Sequence, residues 1–292
     1  MMSPSHGFKN THMSEKFKLG KKKYVFRKNI IMGEDEIIFL PIDKVTQQTE
    51  DEFLFRFNVP INHDPGQFFQ CSLLGIGESA ISICSYSKEY FEMSIRAVGN
   101  VTKQICKLKK GDKLGLRGPY GRGYPISILE GNSVVIIAGG SGAAPVRGII
   151  EYIKKNRTKF GNVNIFLGYR SEENILFKEN FEEWNDKHMY VDLALSDKHD
   201  HPTAIKGYVT HLMENHEAVS NNENKVAFVC GPPVMIKSTC DKLIEEKGFN
   251  TDQIYLSEER HMKCGVGRCG HCMIKGKYCC TDGPVFRYNE LY

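Results

Sequence analysis

The stretch Ile136-Ile137-Ala138-Gly139-Gly140-Ser141-Gly142-Ala143-Ala144-Pro145 runs from unbroken apolar residues through a glycine-rich turn into a segment with a proline near its start. An apolar run bounded by glycines reads as a buried strand, and proline suits the first turn of a helix. The same rhythm repeats outward. Strands at Val134–Ala138, Val163–Gly168, Tyr190–Leu195 and Val226–Cys230 are followed by helices over Ala144–Asn156, Phe177–Asp186, Gly207–Glu214 and Val234–Lys247. Alternation of this kind implies a parallel sheet with right-handed crossovers, so residues 129–256 are expected to form an α/β domain.

Upstream the period falls to 2. Residues 36–128 hold short alternating runs such as Phe53-Leu54-Phe55-Arg56-Phe57 and Phe91-Glu92-Met93-Ser94-Ile95-Arg96 between glycine and proline turns, which predicts an antiparallel β-barrel or sandwich. Residues 1–35 are polar and lysine-rich, and read as a mobile basic leader in which His6 and His12 are solvated. Residues 257–292 show neither period and concentrate five cysteines. That last segment is expected to be held by a metal group in place of an apolar core. The fold class is multi-domain: a barrel, a parallel-sheet α/β domain and a small cysteine-rich segment.

The 292 residues are 41% hydrophobic and 25% charged, a folded globular profile that excludes disordered and fibrous classes. The net charge of +4 is local, because Lys9, Lys16, Lys18, Lys21, Lys22, Lys23, Arg27 and Lys28 face only Glu15 within residues 1–28 and leave the rest net acidic. A nucleic-acid binder would carry its basic stripe on the folded part, so nucleic acid is set aside as a partner. No apolar run approaches the ~20 residues of a bilayer span, and the start lacks the apolar core of a signal peptide. No membrane partner and a cytoplasmic, reducing location are therefore expected. Ten cysteines there call for an explanation other than disulfides.

Cys264, Cys269 and Cys272 stand as C-x4-C-x2-C, with Cys279 and Cys280 a few residues beyond. This is the plant-type [2Fe–2S] spacing. Gly265, Gly267 and Gly270 suit it, since positive φ there turns backbone N–H groups towards sulfur. A structural zinc site also uses four thiolates, though commonly as paired C-x2-C knuckles. Cys71, Cys84, Cys106 and Cys240 are scattered singly and read as core residues.

The turn of Gly139, Gly140, Ser141, Gly142, Ala143 and Pro145 offers helix-terminal N–H groups to a dinucleotide pyrophosphate. It departs from G-x-G-x-x-G, and a plain strand-to-helix turn stands beside that reading. Cys230-Gly231-Pro232-Pro233 is a second small-residue strand end on the same carboxyl edge, where ligands of parallel sheets bind. Cys230 is either a buried strand residue or a group on the nicotinamide side.

Several segments together carry a family resemblance. They are Pro65-Gly66-Gln67-Phe68, Gly77–Ser82, Arg96–Thr102, Leu116–Pro125, Ala138–Pro145, Leu167-Gly168-Tyr169-Arg170, Cys230–Ile236 and Glu259–Phe286. The chain resembles the ferredoxin-reductase-type electron-transfer subunits with a C-terminal [2Fe–2S] segment, and most of all the B subunits of anaerobic sulfite reductases. The resemblance implies an FAD-binding barrel at 36–128, an NAD(P)-binding domain at 129–256 and a [2Fe–2S] segment at 257–292. It places FAD on Ser79, Ala80, Ile81, Ser82, Ser94, Ile95, Arg96, Gly99, Val101 and Thr102, and NAD(P)H on the Gly139–Pro145 turn with Cys230, Gly231 and Pro232. It assigns Cys264, Cys269, Cys272 and Cys280 as cluster ligands, with Cys279 where relatives have valine. One departure is evident: relatives carry Arg-x-Tyr-Ser or Arg-Pro-x-Ser where this chain has Ser79-Ala80-Ile81-Ser82, so a guanidinium partner for the FAD phosphates is missing, and Arg96 is the candidate substitute.

The implied activity is oxidation of NAD(P)H through FAD and the cluster, with ferredoxin-like and sirohaem-containing subunits of a sulfite reductase downstream. The cofactors would carry the chemistry, so no side chain is assigned as catalytic. Lys263, Arg268, Lys275 and Lys277 flank the cysteines and read either as a docking rim or as a solvated charge set. Two alternatives are the same role for a sulfhydrogenase or dihydroorotate dehydrogenase, and a zinc-stabilised nucleotide-binding scaffold. Arg170 and Ser171 would suit a 2′-phosphate while Glu172 and Glu173 would repel one, so NADH and NADPH both stay open.

Overall fold

The computed structural model describes residues 36–214 and 224–292, together with the backbone of Ser14–Leu19 and Lys22–Arg27. Those two backbone segments, β1 and β2, pair as an antiparallel hairpin, so the expected leader contains paired strands; its remaining residues, His6 and His12 included, lie outside the described ones.

Among the described residues, the first folded unit contains β3 (Ile38–Pro41), β4 (Lys44–Gln47), β5 (Glu52–Phe57), β6 (Phe68–Leu73), β7 (Gly77–Ser82), β8 (Phe91–Arg96), helix α1 (Asn100–Ile105) and β9 (Lys113–Tyr120). These make an antiparallel sheet in the order β3-β9-β6-β7 and another in the order β4-β5-β8. A bridge between Ile83 and Met93 ties the two. Alternation decides what lies between them: Phe55, Phe57, Phe69, Cys71, Met93, Ile95 and Leu116 share one fully enclosed apolar core.

The second unit runs through β10 (Ser133–Gly139), α2 (Ala143–Lys155), β11 (Val163–Tyr169), α3 (Phe181–Trp184), β12 (Met189–Leu195), β13 (Ile205–Lys206), α4 (Val209–Leu212), β14 (Lys225–Cys230), α5 (Pro233–Glu245) and β15 (Ile254–Ser257). The sheet order is β13-β12-β11-β10-β14-β15, all parallel. Every residue of β10 is buried, and its alternate residues enter different cores: Val134, Ile136 and Ala138 on one face, Val135 and Ile137 on the other. Such a doubly covered strand shows no polar alternation. The order reverses between β10 and β14, which opens a crevice at their carboxyl ends.

Two expected helices are much shorter. The segment 177–186 holds a 3-10 turn at Lys178–Asn180, which begins after Phe177 at a left-handed φ of 56°, and one α-helical turn at Phe181–Trp184, while 207–214 narrows to Val209–Leu212 behind Gly207 at φ 145°.

The cysteine-rich segment contributes the small hairpin of β16 (Met273–Ile274) and β17 (Lys277–Tyr278), then β18 (Val285–Arg287), which joins β15 antiparallel and extends the parallel sheet. It also has an apolar anchor, contrary to the sequence expectation: Phe286, Ile274 and Leu291 pack with Cys272, Cys279, Cys280 and, from the barrel, Phe68, Ala80 and Tyr120. The apolar partners come from the first unit, which is why the segment's own composition does not reveal them.

Candidate functional site

A cleft of about 480 Å³ opens where the three parts meet. The barrel supplies Ser79, Ala80, Ile81, Ser82, Ser94, Arg96 and Thr102; the parallel sheet supplies Gly139–Gly142, Pro145, Gly231 and Pro232; and Ser257–Arg260 with Met262 leads from the cleft to the cysteines. Of the residues expected to hold FAD, Ile95 is buried in the barrel core, Gly99 caps α1 and Val101 packs beside Gly77, so none of these three lines the cleft. On the nucleotide side, Ala143 is buried in the first turn of α2, and Cys230 is buried with burial pushing its thiol up.

The turn after β10 is built by close approach. A Cβ on Gly142 would stand 2.6 Å from the carbonyl oxygen of Cys230, so only glycine lets the two strand ends touch. Beyond it α2 begins, with Pro145 in its first turn. Glu52, which the sequence did not single out, accepts hydrogen bonds at 2.8 Å from Ser94 Oγ and from Ser141 Oγ, and so joins barrel to nucleotide turn beside the cleft. Burial pushes its carboxyl above the usual carboxylate range, against the two serine hydrogen bonds. Arg96 reaches the cleft with its Nε already donating to Asp51 Oδ2 at 2.8 Å. That bond leads the causes holding the Asp51 carboxyl low.

Of the four cysteines in the expected set, Cys264 lies beside Cys269 and Cys280 beside Cys272, while among the described residues no group of three or more side chains stands in metal-site geometry. One loop caps both. Val266 N and Arg268 N donate to Cys264 Sγ at 3.5 and 3.3 Å, while Gly267 N, on a residue at φ 70°, donates to Cys280 Sγ at 3.2 Å. Desolvation raises the Cys264 thiol, but the amides of Val266, Cys269 and Arg268 outweigh it and bring it to about 6. Burial pushes Cys280 up to about 12. Cys279 turns away, donating to the carbonyl of Glu258 at 3.1 Å. Paired thiols with backbone amides directed at Cys264 and Cys280 have the donor chemistry that could hold an iron–sulfur cluster.

The cysteine loop is tied to the barrel by Arg117 of β9, another residue that sequence reasoning passed over. Its guanidinium binds Glu78 of β7 through Nε at 3.1 Å and Nη2 at 2.6 Å, and donates from Nη1 to the carbonyl of Cys264 at 3.1 Å. Only its place inside the Leu116–Pro125 motif hinted at a role.

Residues 136–241 match the oxidoreductase NAD-binding domain, and residues 259–292 match the iron–sulfur cluster binding domain of dihydroorotate dehydrogenase B. Sulfhydrogenase 1 subunit gamma of Pyrococcus furiosus is 37% identical over 284 residues, spanning 90% of this chain and 96% of that protein. A probable dihydroorotate dehydrogenase B (NAD(+)) electron transfer subunit of Thermococcus kodakarensis is 34% identical, over 86% and 96%. The chain belongs to this family of electron-transfer subunits. Among solved structures, an NADH-dependent reduced ferredoxin-NADP oxidoreductase aligns with a TM-score of 0.69 at 24% identity, over 86% of this chain and 91% of that one. A ferredoxin NADP+ reductase from Neisseria gonorrhoeae aligns at 0.66 and 20%, over 75% and 97%. The electron-transfer subunit thus has the ferredoxin-reductase-type fold, with an iron–sulfur domain at its C-terminus. The sulfite reductase assignment draws no support from these relatives, which are sulfhydrogenase and dihydroorotate dehydrogenase subunits.

Proposed function

We propose that the chain accepts reducing equivalents from NADH at the cleft and delivers them to a catalytic partner subunit through a [2Fe–2S] cluster on Cys264, Cys269, Cys272 and Cys280. FAD, when bound, supplies the exchange between two-electron and one-electron chemistry that neither nicotinamide nor the cluster performs. The supporting observation is the one cleft that Ser79–Ser82, the Gly139–Gly142 turn and the Ser257–Met262 connection share.

The chain's own residues hold and orient. Gly139–Gly142 and the start of α2 receive the pyrophosphate of the nicotinamide nucleotide, and Ser82 and Ser94 offer hydroxyls on the barrel side. Arg96 can meet the FAD phosphates only by sharing its guanidinium with Asp51. Cys230 remains a protonated thiol, positioned through its backbone contact with Gly142. NADH is favoured over NADPH because Arg170 is engaged with Asp197 at 3.2 Å and is followed by Glu172 and Glu173, an acidic neighbourhood for a 2′-phosphate.

For the terminal acceptor, the 37% identity supports a sulfhydrogenase-type partner, and the 34% identity a dihydroorotate dehydrogenase-type partner next. The test is an anaerobic absorbance spectrum of the purified chain with iron, sulfide and flavin assays, before and after NADH or NADPH. Flavin and iron–sulfur bands that bleach faster with NADH are expected. A colourless protein holding zinc would leave the scaffold reading in place.

A further inference from the structure

The face of β6 opposite the barrel core carries Phe68, Gln70 and Ser72, and Gln70 is paired in register with Ala80 of β7 and Arg117 of β9. Phe68 and Ala80 line the cleft and also pack against the cysteine segment, while Arg117 holds the carbonyl of Cys264. Gln70 is fully buried among them, and among the described residues neither its Nε2 nor its Oε1 has a hydrogen-bond partner. Its Cγ lies 3.4 Å from where a Cβ on Gly265 would stand, so the side chain packs against the residue that follows Cys264.

An unpaired buried carboxamide costs free energy unless something else satisfies it. Its neighbours are Ala80 and Arg117 across the sheet, the latter engaged by Glu78, and the backbone of Gly265 next to Cys264. We propose that Gln70 is the hydrogen-bond donor that the barrel presents to the iron–sulfur group, and that it sets the group's reduction potential. The inference rests on the iron–sulfur reading of the four cysteines. A donor aimed at sulfur stabilises the reduced, more negative state and so raises the potential. Glutamine suits the position because its amide donates without adding net charge.

The test compares the wild-type full chain with Gln70→Met and Gln70→Glu, each reconstituted anaerobically and titrated by electron paramagnetic resonance. With Gln70→Met, the ratio of reduced to oxidised cluster at a fixed poise is expected to fall about tenfold, which is ~59 mV for a one-electron couple. With Gln70→Glu, which replaces the amide donor by a carboxyl that donates only while protonated, the ratio should fall further as pH rises. Before reconstitution Gln70→Met should melt no lower than wild type, since it removes two unpaired buried polar atoms.

A cluster potential unmoved in both variants overturns the proposal. So does a flavin potential that moves while the cluster's stays, which would assign Gln70 to the flavin side. A lower melting temperature of the unreconstituted Gln70→Met chain would also overturn it, by making the carboxamide structural. Absence of iron and sulfide in the wild type after reconstitution would instead overturn the iron–sulfur reading beneath it.

Discussion

Cys279 and Cys280 are separated by one peptide bond and turned in opposite directions, one to the Glu258 carbonyl and one to the amide of Gly267. Cys280→Ser should therefore abolish the iron–sulfur absorbance, while Cys279→Ser keeps the iron and sulfide content of wild type and costs about 1 kcal/mol in urea unfolding. Equal loss of iron in both would show that the two thiols are interchangeable. Glu52 gives a second test at this scale. Its folded carboxyl titrates above its unfolded value, so the protonated form is favoured by folding; that stability is present below ~4.3 and is lost as pH rises through the folded value. Glu52→Gln is expected to melt higher than wild type at pH 7, with the difference closing towards pH ~4. A difference independent of pH would assign the effect to the serine hydrogen bonds alone.

Between β10 and α2, Gly142 lets one strand end lie on another. Gly142→Ala must push the turn from the Cys230 carbonyl, at a cost of about 1–3 kcal/mol, and should weaken NADH binding tenfold or more in a fluorescence titration. Binding unchanged beside lowered stability would place the nucleotide elsewhere. The same element shows what a sequence can disclose. The seven buried residues of β10 and the glycines after it announce a central strand and its turn, because burial on both faces leaves a continuous apolar run. The four-cysteine spacing was legible for a similar reason, since sulfur ligands are constrained along the chain. Glu52, Gln70 and Arg117 were not, because each acquires meaning from a partner 60 or more residues away: Ser141, Gly265 and Cys264 meet them only after folding. The shortened α3 and α4 were missed because backbone at positive φ precedes each, which Phe177 gives no sign of adopting.

For the molecule as a whole, electron delivery depends on the barrel and the parallel-sheet unit holding still relative to one another. Arg147 of α2 is buried at their junction, donating to Glu92 Oε2 at 2.7 Å and to the Cys84 carbonyl at 3.0 Å, and Glu92 also binds Arg56 at 2.8 Å. Removing Arg147 leaves the buried Glu92 carboxylate with Arg56 alone and takes the guanidinium donor from the Cys84 carbonyl. Arg147→Ala is expected to cost about 3–5 kcal/mol and to split one urea transition into two; a single transition with little loss would mean that the units are held mainly by apolar contact.

β18 pairs with β15 and replaces it as the last, shorter strand of the sheet. Without it, the backbone amides and carbonyls of Ile254–Ser257 would form an open edge, the kind of strand that recruits other chains. The segment that carries the cysteines therefore also acts as a guard against self-association. A chain cut ahead of residue 259 is expected to expose that edge and to self-associate, which light scattering after limited proteolysis would check.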